Sequence, residues 1–210
     1  MRRRLTGLVL GGFLLTSCTP VGMLTSLGTT AGTYAMEERG LQGVTDDLTL
    51  KADIITKWAN EDLSYTTNLT VIVYNAKALI IGAVETEEQR AKAVAKTWEV
   101  TGIQDVFNEI ILQAESDLQN FAYDTWIDTS LLASVTFDAQ IMDINYRFET
   151  EGGTVYLIGL AQSPAELNRF IAHAKSISYV RKVVSHVEIK PRKSMFKQNP
   201  NKLSLKHEPA

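Results

Sequence analysis

The sequence predicts an α+β protein built from two tandem αββαβ units, each a three-stranded mixed sheet packed on two helices. Three observations carry this. A shift of 77 residues without a gap superimposes two halves: Asp47 falls on Asp124, Asn68 on Asn145, Ile81-Gly82 on Ile158-Gly159, Ala95 on Ala172 and Val106 on Val183. A separation that long suits a duplicated small domain rather than a solenoid unit. Each half also runs through the same alternation of helical period, strand period and turn residues.

The elements follow in order. Leu48, Ala52, Ile55, Ala59 and Leu63 recur at helical spacing, so the first helix spans about 46–62 and its counterpart about 123–136. Leu69, Val71 and Val73 alternate as a strand, matched by Tyr146 and Phe148. Asn75-Ala76 and Gly152-Gly153 are two-residue turns, and the glycine pair readily takes the positive φ that such hairpins need. Second strands cover about 77–84 and 154–161. Capping boxes open the next helices: Thr86 with Gln89, and Ser163 with Glu166, the latter with Pro164 at the first helical position. Final strands run about 104–112 and 181–190, and a strand–helix–strand crossover makes that pairing parallel and right-handed. Gly82 and Gly159 lie inside strands, where glycine weakens a sheet; we read both as structural, marking a bulge or the close approach of a neighbouring helix.

Organisation outside the repeat is equally specific. The chain of 210 residues carries −3 formal charge, and −6 without Arg2, Arg3 and Arg4. Those arginines precede an 11-residue apolar stretch, Leu5–Leu15. It is too short to span a bilayer, which takes about 20 residues, and fits a secretory signal over 1–17. Leu15-Thr16-Ser17-Cys18 then resembles the bacterial lipobox, and Cys18 is the only cysteine. The resemblance implies that the Cys18 thiol takes a diacylglycerol and that cleavage frees its amine for a third acyl chain, a palmitate-type modification. Several chains anchor stably where one does not. The absence of aspartate after Cys18 favours the outer membrane. Residues 18–45 read as a flexible, Thr/Gly-rich tether. Domain one is 46–113, the linker about 113–122 and domain two 123–190. The linker is short enough to suggest contact between the domains. Residues 191–210 form a basic tail without sustained period, expected to be disordered. Adhesion of that tail to anionic lipid or peptidoglycan and simple solvation fit it equally.

These units are similar to BON domains: "VFNEI" at 106–110, "YDTWI" at 123–127 and "GGTVYLIGLA" at 152–161 carry the resemblance, and two such units behind a lipobox resemble the DolP-type outer-membrane lipoproteins. The resemblance implies a non-enzymatic protein, anchored to the outer membrane and facing the periplasm, that binds phospholipid and supports envelope integrity. It further implies lipid contact by the first helix of the second domain, through Trp126 with Ile127 and Leu131 and with Leu132 beside them. The family helix carries cations after its tryptophan, whereas Asp124–Asp138 here contains no Lys or Arg. Since each cation near an anionic surface adds about 1 kcal/mol, selectivity for anionic lipid is in question. The competing expectation is an adaptor that binds an envelope protein, such as assembly or peptidoglycan machinery, with lipid only as tether.

No enzyme motif, metal cluster or phosphate loop appears, so no catalysis, metal, cofactor or nucleic-acid partner is expected. His173, His186 and His207 lie far apart in sequence. Asp46-Asp47 and Glu85-Thr86-Glu87-Glu88 read as acids favoured at helix N-termini.

Overall fold

The structure, a computed structural model, describes residues 37–113 and 121–191. The signal, Cys18, most of the tether and nearly all of the basic tail lie outside the described residues. The first unit comprises α1 (Gly40–Glu61), a one-turn helix α2 (Tyr65–Asn68), β1 (Leu69–Tyr74), β2 (Lys77–Val84), α3 (Glu87–Trp98) and β3 (Asp105–Leu112). The second comprises α4 (Phe121–Thr136), a 3₁₀ turn at Asp143–Asn145, β4 (Tyr146–Glu151), β5 (Thr154–Ala161), α5 (Pro164–Ser176) and β6 (Lys182–Ile189). Sheet orders are β1-β2-β3 and β4-β5-β6, with the first pair antiparallel and the second parallel in each. The duplication extends to register: Leu69 faces Gly82 as Tyr146 faces Gly159. Each sheet therefore has the mixed αββαβ topology that the repeat predicts.

Two corrections concern α1. The helix begins at Gly40, six residues inside the segment read as tether, and Glu37–Arg39 are held in place before it. Its buried side is Val44, Asp47, Ile54 and Trp58, whereas Leu48, Ile55 and Leu63 of the sequence-derived stripe are exposed. The core side won because Trp58 fills it, donating Nε1–H to the Ala93 carbonyl at 2.9 Å. Asp47 also does something other than meet a helix dipole. It lies in the second turn of α1 and accepts the amides of Asn75 (2.7 Å) and Ala76 (2.8 Å), whose positive φ values of 52° and 61° form the β1–β2 turn. Asp124 repeats this in α4, accepting Gly152 N–H at 2.9 Å and Gly153 N–H at 2.7 Å.

The capping box of α3 is complete: Thr86 Oγ1 accepts Gln89 N–H, and Gln89 Oε1 accepts Thr86 N–H. At α5 only half of it forms. Ser163 Oγ accepts Glu166 N–H, but the Glu166 carboxylate accepts instead from Gln162 N–H (2.6 Å) and Met142 N–H (2.9 Å), stitching the helix to the preceding loop. At Gly82 and Gly159 the neighbouring backbone comes too close for a side chain. A Cβ there would sit 2.2 Å from the Asn68 carbonyl oxygen and 2.3 Å from that of Asn145, the last residues of the short helical turns.

The two domains pack together through their sheets. On β2, Ala78 and Ile80 point into the first domain's core, while Leu79 and Ile81 join Tyr74 in a second cluster with Tyr156 and Ile158 of β5. Burial on both sides explains why β2 and β5 are nearly continuous apolar runs. Symmetry shows at the seam: Glu109 and His186, equivalent under the 77-residue shift, meet at 2.8 Å, and Phe107 stacks on the His186 ring with centroids 4.3 Å apart. The segment before α1 locks the arrangement. Glu37 pairs with both Arg39 and Arg147, and Glu38 N–H donates to Asn145 Oδ1 at 2.9 Å.

Candidate functional site

Helix α4 is apolar on two sides, and the structure separates them. Ile127, Leu131 and Val135 are fully buried against Tyr146, Leu157 and Phe170. Ile127 and Leu131 are therefore core residues and not lipid contacts: a side chain sealed in the domain has no surface to offer a bilayer. Trp126, by contrast, is 58% exposed, and Tyr123, Leu132, Phe137 and Met142 are exposed with it.

The outer face of α4 is also free of charge. Its two acids turn inward: Asp124 caps the Gly152-Gly153 turn, and the Asp128 carboxylate accepts from Thr150 Oγ1 at 2.6 Å. Burial, with help from the Asp124 charge, pushes the Asp128 carboxyl up from its ordinary value. Thr129 satisfies its hydroxyl on the Thr125 carbonyl at 2.9 Å. What remains outside is a band of aromatic and aliphatic groups with no solvent-facing ion of its own.

Cationic charge approaches from another element. Tyr123 stacks on Tyr179, centroids 4.3 Å apart, and together with Gly153, Val180 and Arg181 they line a cleft of about 290 Å³. Tyr179 takes a positive φ of 74°, and Gly153 gives it room, since a Cβ there would lie 2.9 Å from the Tyr179 carbonyl oxygen. Arg181 thus stands at the N-terminal end of α4, although nothing in the helix's own sequence announces it. At the other end, Asp138 is bonded to Arg169 and to His173 Nε2 (2.7 Å), and His173 with Arg169 holds its carboxyl down to about 2. Among the described residues, no three His, Cys, Asp or Glu side chains are grouped to hold a metal ion, and no helix is long and apolar enough to cross a membrane.

The duplicated αββαβ topology has a counterpart among known domains. The sequence profile of the BON domain matches residues 39–114 and again 123–191. The chain belongs to the BON-domain family. Its two BON domains coincide with the two sheets, and the first match begins at the start of α1. The protein is similar to one of Anaplasma centrale named for the gshII 5′ region, with 35% identity over 127 residues, 60% of this chain and 84% of that one. It is 25% identical over 159 residues to the 21 kDa hemolysin of Actinobacillus pleuropneumoniae, covering 76% and 75% of the two chains. Against the outer membrane lipoprotein DolP of Haemophilus influenzae, identity is 27% over 117 residues, 55% of this chain and 60% of that one. As in DolP-like dual BON proteins, both domains are present and adjacent.

Proposed function

We propose that this dual BON protein is a lipid-anchored component of the outer membrane, facing the periplasm, whose second domain binds phospholipid through α4 and supports envelope integrity without catalysis. The observation that carries the reading is the outward, uncharged face of α4, with Trp126 at its centre and both acids bonded inward. An amphipathic indole suits the headgroup layer, with Tyr123 beside it and Leu132 and Phe137 reaching further into the apolar region. Arg181 lines the cleft at the N-terminal end of that face. Anchoring rests on the lipobox-like LTSC at 15–18, and the naming of the H. influenzae relative as an outer membrane lipoprotein agrees with it.

The test is flotation of a Cys18→Ala form with phosphatidylglycerol-containing vesicles, so that no acyl anchor contributes. Burying about 100 Å² of the exposed indole is worth roughly 2 kcal/mol, so Trp126→Ala is expected to weaken binding by roughly 30-fold. Failure to float with any vesicle, combined with crosslinking to one defined envelope protein, would replace this reading with the adaptor reading.

A further inference from the structure

The short segment Glu37–Arg39 touches both domains at once. Toward the first, the Arg39 guanidinium pairs with Asp47 and lies over the Tyr74 ring, 4.3 Å from its centroid. Toward the second, Glu37 pairs with Arg147, Glu38 N–H donates to Asn145 Oδ1 at 2.9 Å, and Lys190 Nζ reaches the Glu38 carboxylate at 2.7 Å. Glu37 is the joint between the two sides. Its Oε1 meets Arg147, its Oε2 takes Arg39 Nε–H at 2.7 Å, and its side chain is only 2% exposed. The seam that this segment spans is thin. Among the described residues it buries five apolar side chains, against twelve and ten in the two domain cores. Its other ion pairs, Lys77 with Glu188 and His186 with Glu109, are partly exposed and contribute little. Tyr74 Oη is buried with no hydrogen-bond partner among the described residues, which subtracts from the gain of closing.

We propose that Glu37–Arg39 is a latch: seated, it makes the two domains one body, and released, it lets them part along the seam while each keeps its own fold. Each domain has a complete sheet and a core of its own, so parting needs no unfolding. The seated contacts stand or fall together, because three consecutive residues make them. Removing the Glu37 carboxylate is the strongest way to break them, since it leaves Arg39 and Arg147 without the shared acid that draws them together. Parting would uncover Leu79 and Ile81 on β2 and Tyr156 and Ile158 on β5, the residues that face each other across the seam. It would also change the placement of α4. With the latch seated, α4 is held at a fixed offset from the point where the chain enters the first domain. With it released, the second domain is tied to the first only by the linker after β3.

The experiment is the rate of thiol labelling of the full-length Cys18→Ala chain in solution, with one new cysteine at a time. Leu79→Cys reports on the seam and Ile80→Cys, its neighbour on β2, on the core of the first domain. Ile158→Cys and Leu157→Cys give the same comparison from the second domain. Adding Glu37→Ala or Arg147→Ala should speed labelling at Leu79→Cys and Ile158→Cys by roughly tenfold or more, and leave Ile80→Cys and Leu157→Cys unchanged. Adding Lys77→Ala, which breaks an exposed pair across the seam but spares the latch, should alter the seam rates by less than about twofold. Far-UV spectra identify any variant that has lost its fold, and the seam-to-core ratio is read from the second domain if a first-domain cysteine is not tolerated. Unchanged seam rates, equal acceleration at seam and core positions, or an equal effect of Lys77→Ala would each overturn the proposal. No vesicle is present, so the outcome is independent of the lipid reading.

Discussion

Removing the Asp124 carboxylate tests how the outer face of α4 is kept neutral. Asp124 accepts two turn amides at 2.9 and 2.7 Å. Hydrogen bonds to a charged acceptor contribute about 1.5–3 kcal/mol each. Water reaches the half-buried turn and recovers some of this, giving a gross loss of about 3 kcal/mol for Asp124→Ala. An offset comes from the same charge, which raises the Asp128, Glu149 and Glu151 carboxyls and is relieved on mutation. A net loss of roughly 2 kcal/mol at pH 7 follows. Asp124→Asn keeps one acceptor oxygen and should lose about half as much. Urea unfolding reads both as shifts of midpoint at unchanged slope. A loss below about 0.5 kcal/mol, or equal losses for Asn and Ala, would refute the claim that this carboxylate is occupied by the turn.

Other outcomes follow from neighbouring geometry. Ala76 sits at a positive φ of 61°, so Ala76→Gly should stabilise the protein by about 0.5–1 kcal/mol in the same urea assay, the relief of left-handed strain exceeding the added chain entropy. Gly159→Ala should do the reverse by several-fold more, since the new Cβ would lie 2.3 Å from a backbone oxygen; a neutral result would deny the close approach. Burial, then the charges of Asp128 and other acids against the partial relief of Lys51, raises the Glu149 carboxyl to about 7. A raised folded pKa means stability that is full below the unfolded value near 4.5 and lost as pH rises through about 7. Discounted for its half-exposure, this is on the order of 1–2 kcal/mol. Glu149→Gln should therefore flatten the fall in Tm between pH 5 and pH 8, and an unchanged fall would assign it elsewhere.

The duplication is legible because a gapless 77-residue shift keeps the same pattern in both halves, and the two hairpins and the Thr86 and Ser163 N-caps are legible because each is written in adjacent residues. The sequence does not reveal which stripe of α1 faces inward, because Leu48, Ala52, Ile55 and Ala59 form an apolar stripe as regular as the buried one. The core side is settled by Trp58 reaching Ala93 across 35 positions. Asp47 and Asp124 align under the 77-residue shift, yet their partners lie 28 and 29 residues downstream, beyond any local pattern. Helix α4 is apolar all round, so periodicity could not place Trp126 outside and Ile127 and Leu131 inside. Arg181 joins the site only because the turn before β6 folds beside Tyr123. Tyr179, two residues before that cation, is the signal the sequence offers.

The most direct measurement is depth-dependent quenching of Trp126 fluorescence by vesicles containing brominated phosphatidylglycerol, made in a Trp98→Phe background of the Cys18→Ala chain. Of the three tryptophans, Trp58 is buried and reports as an internal constant, leaving Trp126 as the exposed indole. The account predicts a blue shift on vesicle addition and strongest quenching by bromines near the headgroup end of the acyl chain. An emission maximum unmoved by vesicles, with no quenching at any depth, would contradict a lipid-facing α4.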